Sequence, residues 1–450
     1  MRKLATPFWE PSEGKQVIAW DVISYYEYLP AILLYEDPSF QFILSLPKKV
    51  RDKRYWLETS PTGHFIPKTT MGLAYAYLPG FGAGHVAALI DTAQPPDGYS
   101  MPYQIGVSFV SSLWFFLGLV ALRAFLVRYF PDKQVAWALL LLVGGSMVFY
   151  YGVFEAAMPH GIVFGLMGLL FYACDSWSRR PSFGLAAAIG LLTAWVGLIR
   201  PVDVLLVLVP LSLLWRAQVP SWRTFVPHIA VVLVVGMVWV FPQLLYWKTF
   251  TGSWVYFSYG EERFFWRNPN ILDGLFSYRM GLFVYSPVLL ISLVGFVALR
   301  RLPRPIPFML VLVLPLFSYV VFSWWCWWYG GGYGARAFVE AVPLLLLLAL
   351  AGMGRLAQGI APRWQKIGLG LFVSLAVYTQ FMFYQRNHGI LHHDAGTKYS
   401  FWAAFGANQP PKDYWDLICQ PDYTGALKTG EEAPVSERCP HLVPQNEFSP

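Results

Sequence analysis

From Gly161 to Arg216 the chain reads GIVFGLMGLLFYACDSWSRRPSFGLAAAIGLLTAWVGLIRPVDVLLVLVPLSLLWR, and this stretch decides the fold. Three apolar runs follow one another, parted by Arg179-Arg180 and then by Arg200-Pro201-Val202-Asp203. A helix that crosses a bilayer needs about 20 mostly apolar residues. The second break is short, so the runs on either side of it turn back at one membrane surface. Working outward, similar runs begin near residues 106, 136, 161, 183, 202, 227, 282, 306, 341 and 367, each about 15–22 residues long.

Composition agrees. The 450 residues include 33 Lys or Arg and 26 Asp or Glu, so 13% are charged and 56% are hydrophobic. Ordinary soluble domains carry roughly 25% charged residues. Three soluble domains, the number suggested by about 150 residues per domain, could not be covered by so few charges. Disorder is excluded by an 18% aromatic content. The expected fold is an all-α polytopic membrane protein with about ten crossings. The net charge of +7 does not point to nucleic acid, because Lys and Arg sit in short clusters between the apolar runs.

Those clusters set an orientation. Alternate loops hold Arg123, Arg128 and Lys133; Arg179 and Arg180; Arg216 and Arg223; Arg300, Arg301 and Arg304; Arg355, Arg363 and Lys366. Loops rich in Lys and Arg stay on the cytoplasmic side. The opposite loops, 152–160, 200–203, 248–281, 323–340 and the tail after 385, are then outward-facing, and they are rich in Trp, Tyr, Gly and scattered acids. Three regions are expected: a first extracytoplasmic loop with surface helices over 1–105, a helical membrane domain over 106–385, and an extracytoplasmic tail over 386–450. For residues 71–90 two arrangements stand, a crossing or a helix lying on the membrane. Pro79, Gly80, Gly82, Gly84 and His85 favour the second. An outward 1–105 then needs a crossing before it, and no run before Asp21 qualifies, so a further N-terminal helix is expected upstream. The Lys48–Arg54 run would suit the other arrangement. In an outward tail, Cys419 and Cys439 are expected to form a disulfide. Cys174 and Cys326, in or beside apolar runs, read as small buried hydrophobes.

Three outward segments concentrate polar groups. In Trp20–Pro30, Asp21, Tyr25 and Tyr28 share a helical face, although an interfacial helix with an acidic cap would have the same pattern. Glu155 and His160 lie in a very short loop, where ionisable groups are costly unless used or paired; they suit a sugar hydroxyl or a divalent cation. Ser323–Arg336 reads SWWCWWYGGGYGAR. Consecutive glycines let main chain approach a ligand, and Arg336 offers a planar fork suited to phosphate. The segment is not a nucleotide-binding P-loop, since it lacks the Lys-Ser/Thr ending. Lys68, Arg200, Asp203, Glu261, Glu262 and Arg279 are further charges at outward edges, with anchors or ion pairs as their ordinary use.

The order of these segments resembles the GT-C superfamily of membrane glycosyltransferases. The closest likeness is to the bacterial branch related to protein O-mannosyltransferases and aminoarabinose transferases. Asp21 with Tyr25 and Tyr26 resembles the acidic residue heading that family's first loop. Pro67-Lys68-Thr69-Thr70 stands where a Lys-Pro-Pro-Leu element occurs, without the tandem prolines. Trp327–Arg336 is similar to the late Trp/Gly/Arg segment. A single Asp21 stands where some members have Asp-Glu, which leaves a divalent cation open as the cofactor. The likeness runs from Asp21 to about Ala341.

What the resemblance implies is transfer of a sugar from a polyprenyl-phosphate donor to a lipid-linked glycan, glycan or protein acceptor. The setting would be the outer face of a bacterial inner membrane. Asp21 would act as base and Arg336 would hold the lipid phosphate, helped by Lys68 or Arg200. Glu155 and His160 would position a substrate or cation, with Tyr25, Trp328 and Tyr329 lining the site. Asp21, Glu155 and Arg336 are expected to meet at one outward cavity. Two rivals stand beside this. A transporter or lipid flippase would carry ionisable residues at mid-membrane depth. A glycan ligase or polymerase of another fold would place its large functional loop late in the chain.

Overall fold

A computed structural model of the chain describes residues 16–52, 57–216, 222–356, 358 and 360–442. Part of the basic Lys48–Arg54 run, and everything before residue 16, lies outside the described residues. Among those described, regular structure is helical except for one two-stranded ribbon, Glu58–Thr59 antiparallel to Phe65–Ile66.

Six helices are long and apolar enough to cross a membrane: Gly72–Ile90, Met101–Leu126, Pro159–Arg179, Phe225–Thr251, Arg336–Leu356 and Pro362–Asn387. The other expected crossings are shorter or broken, each at an identifiable place. Asp132–Val143 and Met147–Phe154 meet at a 75° bend across Gly144-Gly145-Ser146. There the Ser146 side chain caps the second piece by accepting from the Val148 N–H. Phe183–Ile199 and Ile306–Phe322 stay below 18 residues. Val204–Ser212 is a nine-residue helix between two 3-10 turns. From Leu282 to Arg301 the path is four short pieces, with Pro287 opening the second and Ala298 leaving helical geometry at φ −122°.

The chain packs as two compact units. The first contains residues 1–125, 151–260 and 304–309, and the second contains 126–150, 261–303 and 310–450. In the first, Pro159–Arg179 and Phe183–Ile199 run antiparallel through a tight turn at residues 180–182. This puts His160 and Arg200 at one end and the Arg179-Arg180 pair at the other. At that second end the buried Asp175 carboxylate takes Arg179 at 2.9 Å and Arg216 at 3.6 Å. The long Trp222–Thr251 helix lies against Phe183–Ile199. Its opposite face leaves Leu233, Val234, Met237 and Val238 each about 60% exposed. In water such a face would be unfavourable by about 25 cal/mol per Å²; in a lipid layer it has no such cost.

Gly72–Ile90 shows what its glycines are used for. Its glycines favoured a helix lying on the surface, yet the helix runs unbroken through Pro79 for 19 residues. A Cβ on Gly80 would lie 2.2 Å from the Gly106 carbonyl oxygen, and one on Gly106 would lie 2.1 Å from that of Gly80. The two glycines let this helix and Met101–Leu126 touch backbone to backbone, the use small residues have between helices in membranes. They are packing residues, a use open to a crossing helix and to one lying on the membrane alike.

In the second unit, the helix that follows the Arg336–Ala341 turn is buried from Val342 through Gly352. The tail folds onto this unit, and Cys419 and Cys439 form the expected disulfide, with Cα atoms 6.0 Å apart. Closing a loop of about that length stabilises a fold by roughly 3 kcal/mol in chain-entropy terms. Cys174 and Cys326 are free and buried, as expected. Burial pushes the Cys326 thiol up to about 12, so it behaves as a hydrophobe.

Candidate functional site

The first unit gathers most of the expected site at one end of its helices. Asp21 opens the short helix Asp21–Tyr26, directly after Trp20, which is held at φ 53°. A non-glycine residue in the left-handed region costs on the order of 1 kcal/mol and persists only where its surroundings demand it. One turn along, Ser24 accepts from the Thr69 hydroxyl at 3.2 Å, and the Tyr28 hydroxyl donates to the Thr69 carbonyl at 2.8 Å. These bonds bring the Asp21 helix to Lys68. The Lys68 ammonium sits 5.2 Å over the Tyr259 ring, and its carbonyl accepts from the Ser258 hydroxyl at 2.7 Å. Thr70 then donates to the Leu198 carbonyl, tying the same segment to the end of the helix that leads into Arg200.

Arg200 is the hub of a buried polar cluster. Its Nε lies 3.3 Å from the fully buried Asp203 carboxylate, and its Nη1 lies 3.2 Å from His160 Nδ1. A guanidinium only donates. In this contact His160 Nδ1 is therefore the acceptor. The His160 ring is 1% exposed and packs edge-on to Tyr151 at 5.0 Å. Glu155 precedes this helix and is exposed, while its carbonyl accepts from the Met158 N–H. The Tyr77 hydroxyl binds the Ala157 carbonyl, which joins this loop to the helix that follows Lys68. Asp21, Lys68, Glu155, His160 and Arg200 thus share one end of the unit. Tyr25, expected to line the site, is instead 6% exposed and is part of the core.

The second unit holds the Trp/Gly/Arg segment. Trp328 and Tyr329 were expected to face a substrate. The Trp328 ring is 2% exposed and lies 4.8 Å beneath the Arg279 guanidinium. Arg279 in turn reaches Glu432 at 2.6 Å. Trp328 is thereby a covered core residue alongside Cys326 and Trp327. Tyr329 stands at φ 60° and Gly330 at φ 71°, so the chain reverses tightly there. The Tyr329 hydroxyl donates to the Val321 carbonyl. Arg336 is partly exposed at the start of a 3-10 turn, and its Nη1 lies 3.4 Å from the Gly331 carbonyl.

Sequence reasoning missed the residues this segment packs against. A Cβ on Gly331 would sit 2.6 Å from the His393 ring. The Gly332 N–H donates to the His393 carbonyl, and Arg386 donates to that of Gly332. His392 and His393 stack with centroids 4.4 Å apart, and the Tyr423 hydroxyl donates to Asp394 at 2.8 Å. Burial would raise the Asp394 carboxyl, but hydrogen bonds from His392 and Tyr423 outweigh it and hold it below the usual range. Burial lowers the His393 imidazole. The signal that would have found this group was the tandem His392-His393-Asp394 itself. Beside it, Asp273, Arg279, Lys398, Tyr399, Glu432 and Arg438 are among the residues around an open cavity of about 850 Å³.

No model of a known protein family matches the chain, and no curated protein matches it in sequence. Its class rests on its own architecture: a chain whose described residues are helical apart from one short ribbon, with six apolar helices of membrane-crossing length and a polar cluster at one end of its first unit.

Proposed function

We propose that the chain is an integral membrane glycosyltransferase that moves a sugar from a polyprenyl-phosphate donor to an acceptor hydroxyl. The observation that carries this reading is the gathering of Asp21, Lys68, Glu155, His160 and Arg200 at one helix end, opposite the Arg179-Arg180 pair. Two carboxylates, an imidazole and two cations gather there, at the level a lipid headgroup would take. The positive-inside rule makes that end outward, which suits a bacterial inner membrane, and a tail disulfide suits the oxidising side. The shorter and broken apolar stretches complete about ten crossings on this reading.

The reaction is one displacement. The acceptor oxygen bonds to the anomeric carbon as the bond from that carbon to the phosphate oxygen breaks. Asp21 takes the acceptor's proton, and the lipid phosphate leaves with its charge. Lys68, which shares the first unit with Asp21, meets that charge, the role the sequence resemblance also gives Arg336. Arg200 donates to His160 Nδ1, so His160 can donate from Nε2 to a sugar oxygen, and the exposed Glu155 accepts from a hydroxyl. No general acid is needed for a phosphate leaving group.

Placement of charge favours an enzyme over a transporter. In the described spans the ionisable side chains other than His85 stand near the ends: Arg123, His160, Asp175, Arg179, His228, Lys248, Arg336, Glu340, Arg355, Arg363, Lys366 and Arg386. A conduction or flipping path calls for such groups at mid-depth. Purified protein incubated with a panel of polyprenyl-phosphate sugars and glycan or peptide acceptors is expected to release polyprenyl phosphate with at least one pair. Turnover of nucleotide sugars but of no lipid-linked donor would overturn the proposal.

A further inference from the structure

We infer that His392, His393 and Asp394 form a zinc site where the tail packs against the glycine-rich segment. The inference stands apart from the glycosyl-transfer reading, since it uses none of the residues assigned to that chemistry. Two imidazoles and one carboxylate are a donor set that zinc takes readily, leaving a position open for water.

The geometry is close to what the ion requires. Tetrahedral zinc with bonds of about 2.0–2.1 Å sets its donor atoms roughly 3.3 Å apart. Asp394 Oδ1 lies 3.2 Å from His392 Nδ1 and 3.7 Å from His393 Nε2, and all three donor atoms fall within 4.8 Å of one another. Closing on an ion asks the two imidazole nitrogens, at most 4.8 Å apart, to draw together by no more than about 1.5 Å. His392 Nδ1 also accepts from the Asp394 and Ala395 N–H groups, at 3.3 and 3.1 Å. An ion bound at Nδ1 would take its lone pair at the expense of these two long hydrogen bonds.

The surroundings are those of a supported site. Metal ligands are oriented by partners outside the first ring of donors, and losing such a partner typically weakens affinity 10–100-fold. Here the Tyr423 hydroxyl fixes the other oxygen of Asp394. Gly331, where a Cβ would strike the His393 ring, leaves that ring its place, and the Gly332 N–H binds the His393 carbonyl. The Asp394 side chain is 11% exposed, so a bound ion would be shielded while His393, at 50%, keeps a path open for it.

The test uses the full chain in detergent, stripped with a chelator and titrated with zinc and then with cobalt. One zinc per chain and the visible absorption of tetrahedral cobalt are expected. Asp394→Asn keeps the shape of the side chain and should weaken zinc binding at least about 10-fold. His393→Ala, at a half-exposed position, should do the same, and Tyr423→Phe should weaken it by about 10-fold with all three ligands present. His441→Ala, an exposed tail histidine outside the group, should leave affinity unchanged. Substoichiometric zinc at saturation in the parent protein would overturn the site, as would parental affinity in folded Asp394→Asn and His393→Ala.

Discussion

Asp21→Asn is expected to lower sugar transfer by about 10²–10⁴-fold, the usual cost of losing a general base. The substitution keeps size and hydrogen-bonding shape at the first residue of its short helix, so the Ser24–Thr69 and Tyr28–Thr69 bonds that seat this helix survive. The loss should therefore fall on kcat, with the donor's KM near its parent value, because the proton is taken only as the acceptor attacks. Steady-state rates on purified, folded variant make the comparison. Transfer at the parent rate would remove Asp21 as base, and the exposed Glu155 would be the next carboxylate to examine.

Arg336→Lys is expected to cost about 10²–10³-fold in kcat, comparable to removing one preorganised donor to a developing anion. Charge is conserved, so a long-range field would survive, and what is lost is the planar two-pronged contact with phosphate. Arg336 stands at the entry to a fully buried helix, where its 3-10 turn gives it a set direction. A flexible ammonium in its place has no such preorganisation. Kinetics with short-chain polyprenyl-phosphate sugars read the effect. An unchanged kcat would mean that the leaving phosphate is met elsewhere, with Lys68 the nearest candidate in kind.

Much of this architecture was legible in sequence because hydropathy is a direct physical signal. Met101–Leu126, Pro159–Arg179, the long helix ending at Thr251, Arg336–Leu356 and Pro362–Asn387 all fall on predicted apolar runs. The tail disulfide was legible for a similar reason, since two cysteines in a polar segment have few other uses. Breaks inside apolar runs were not. The 75° bend after Val143 and the pieces between Leu282 and Arg301 depend on local backbone geometry, to which mean hydropathy is blind. The packing use of Gly80 was not legible, because a glycine reads alike whether it breaks a helix or seats it against Gly106.

The site divides in the same way. Lys68, His160 and Arg200 were singled out as charges beside apolar runs, and the fold brings them to one end of the first unit. The cover that Arg279 lays over the Trp328 ring, beside the open cavity both residues line, was not legible because Arg279 lies far from it in sequence. His392, His393 and Asp394 went unnoticed because their use depends on Gly331 and Tyr423, both distant in the chain.

The central claim is a single displacement at the anomeric carbon of a lipid-phosphate sugar. The most direct measurement is the anomeric configuration of the first product by NMR, taken together with the yield of polyprenyl phosphate. Inverted configuration, with one polyprenyl phosphate released per sugar transferred, is the expected result. Retained configuration would require a second nucleophile and contradict the single step, and sugar transfer without release of lipid phosphate would contradict the donor.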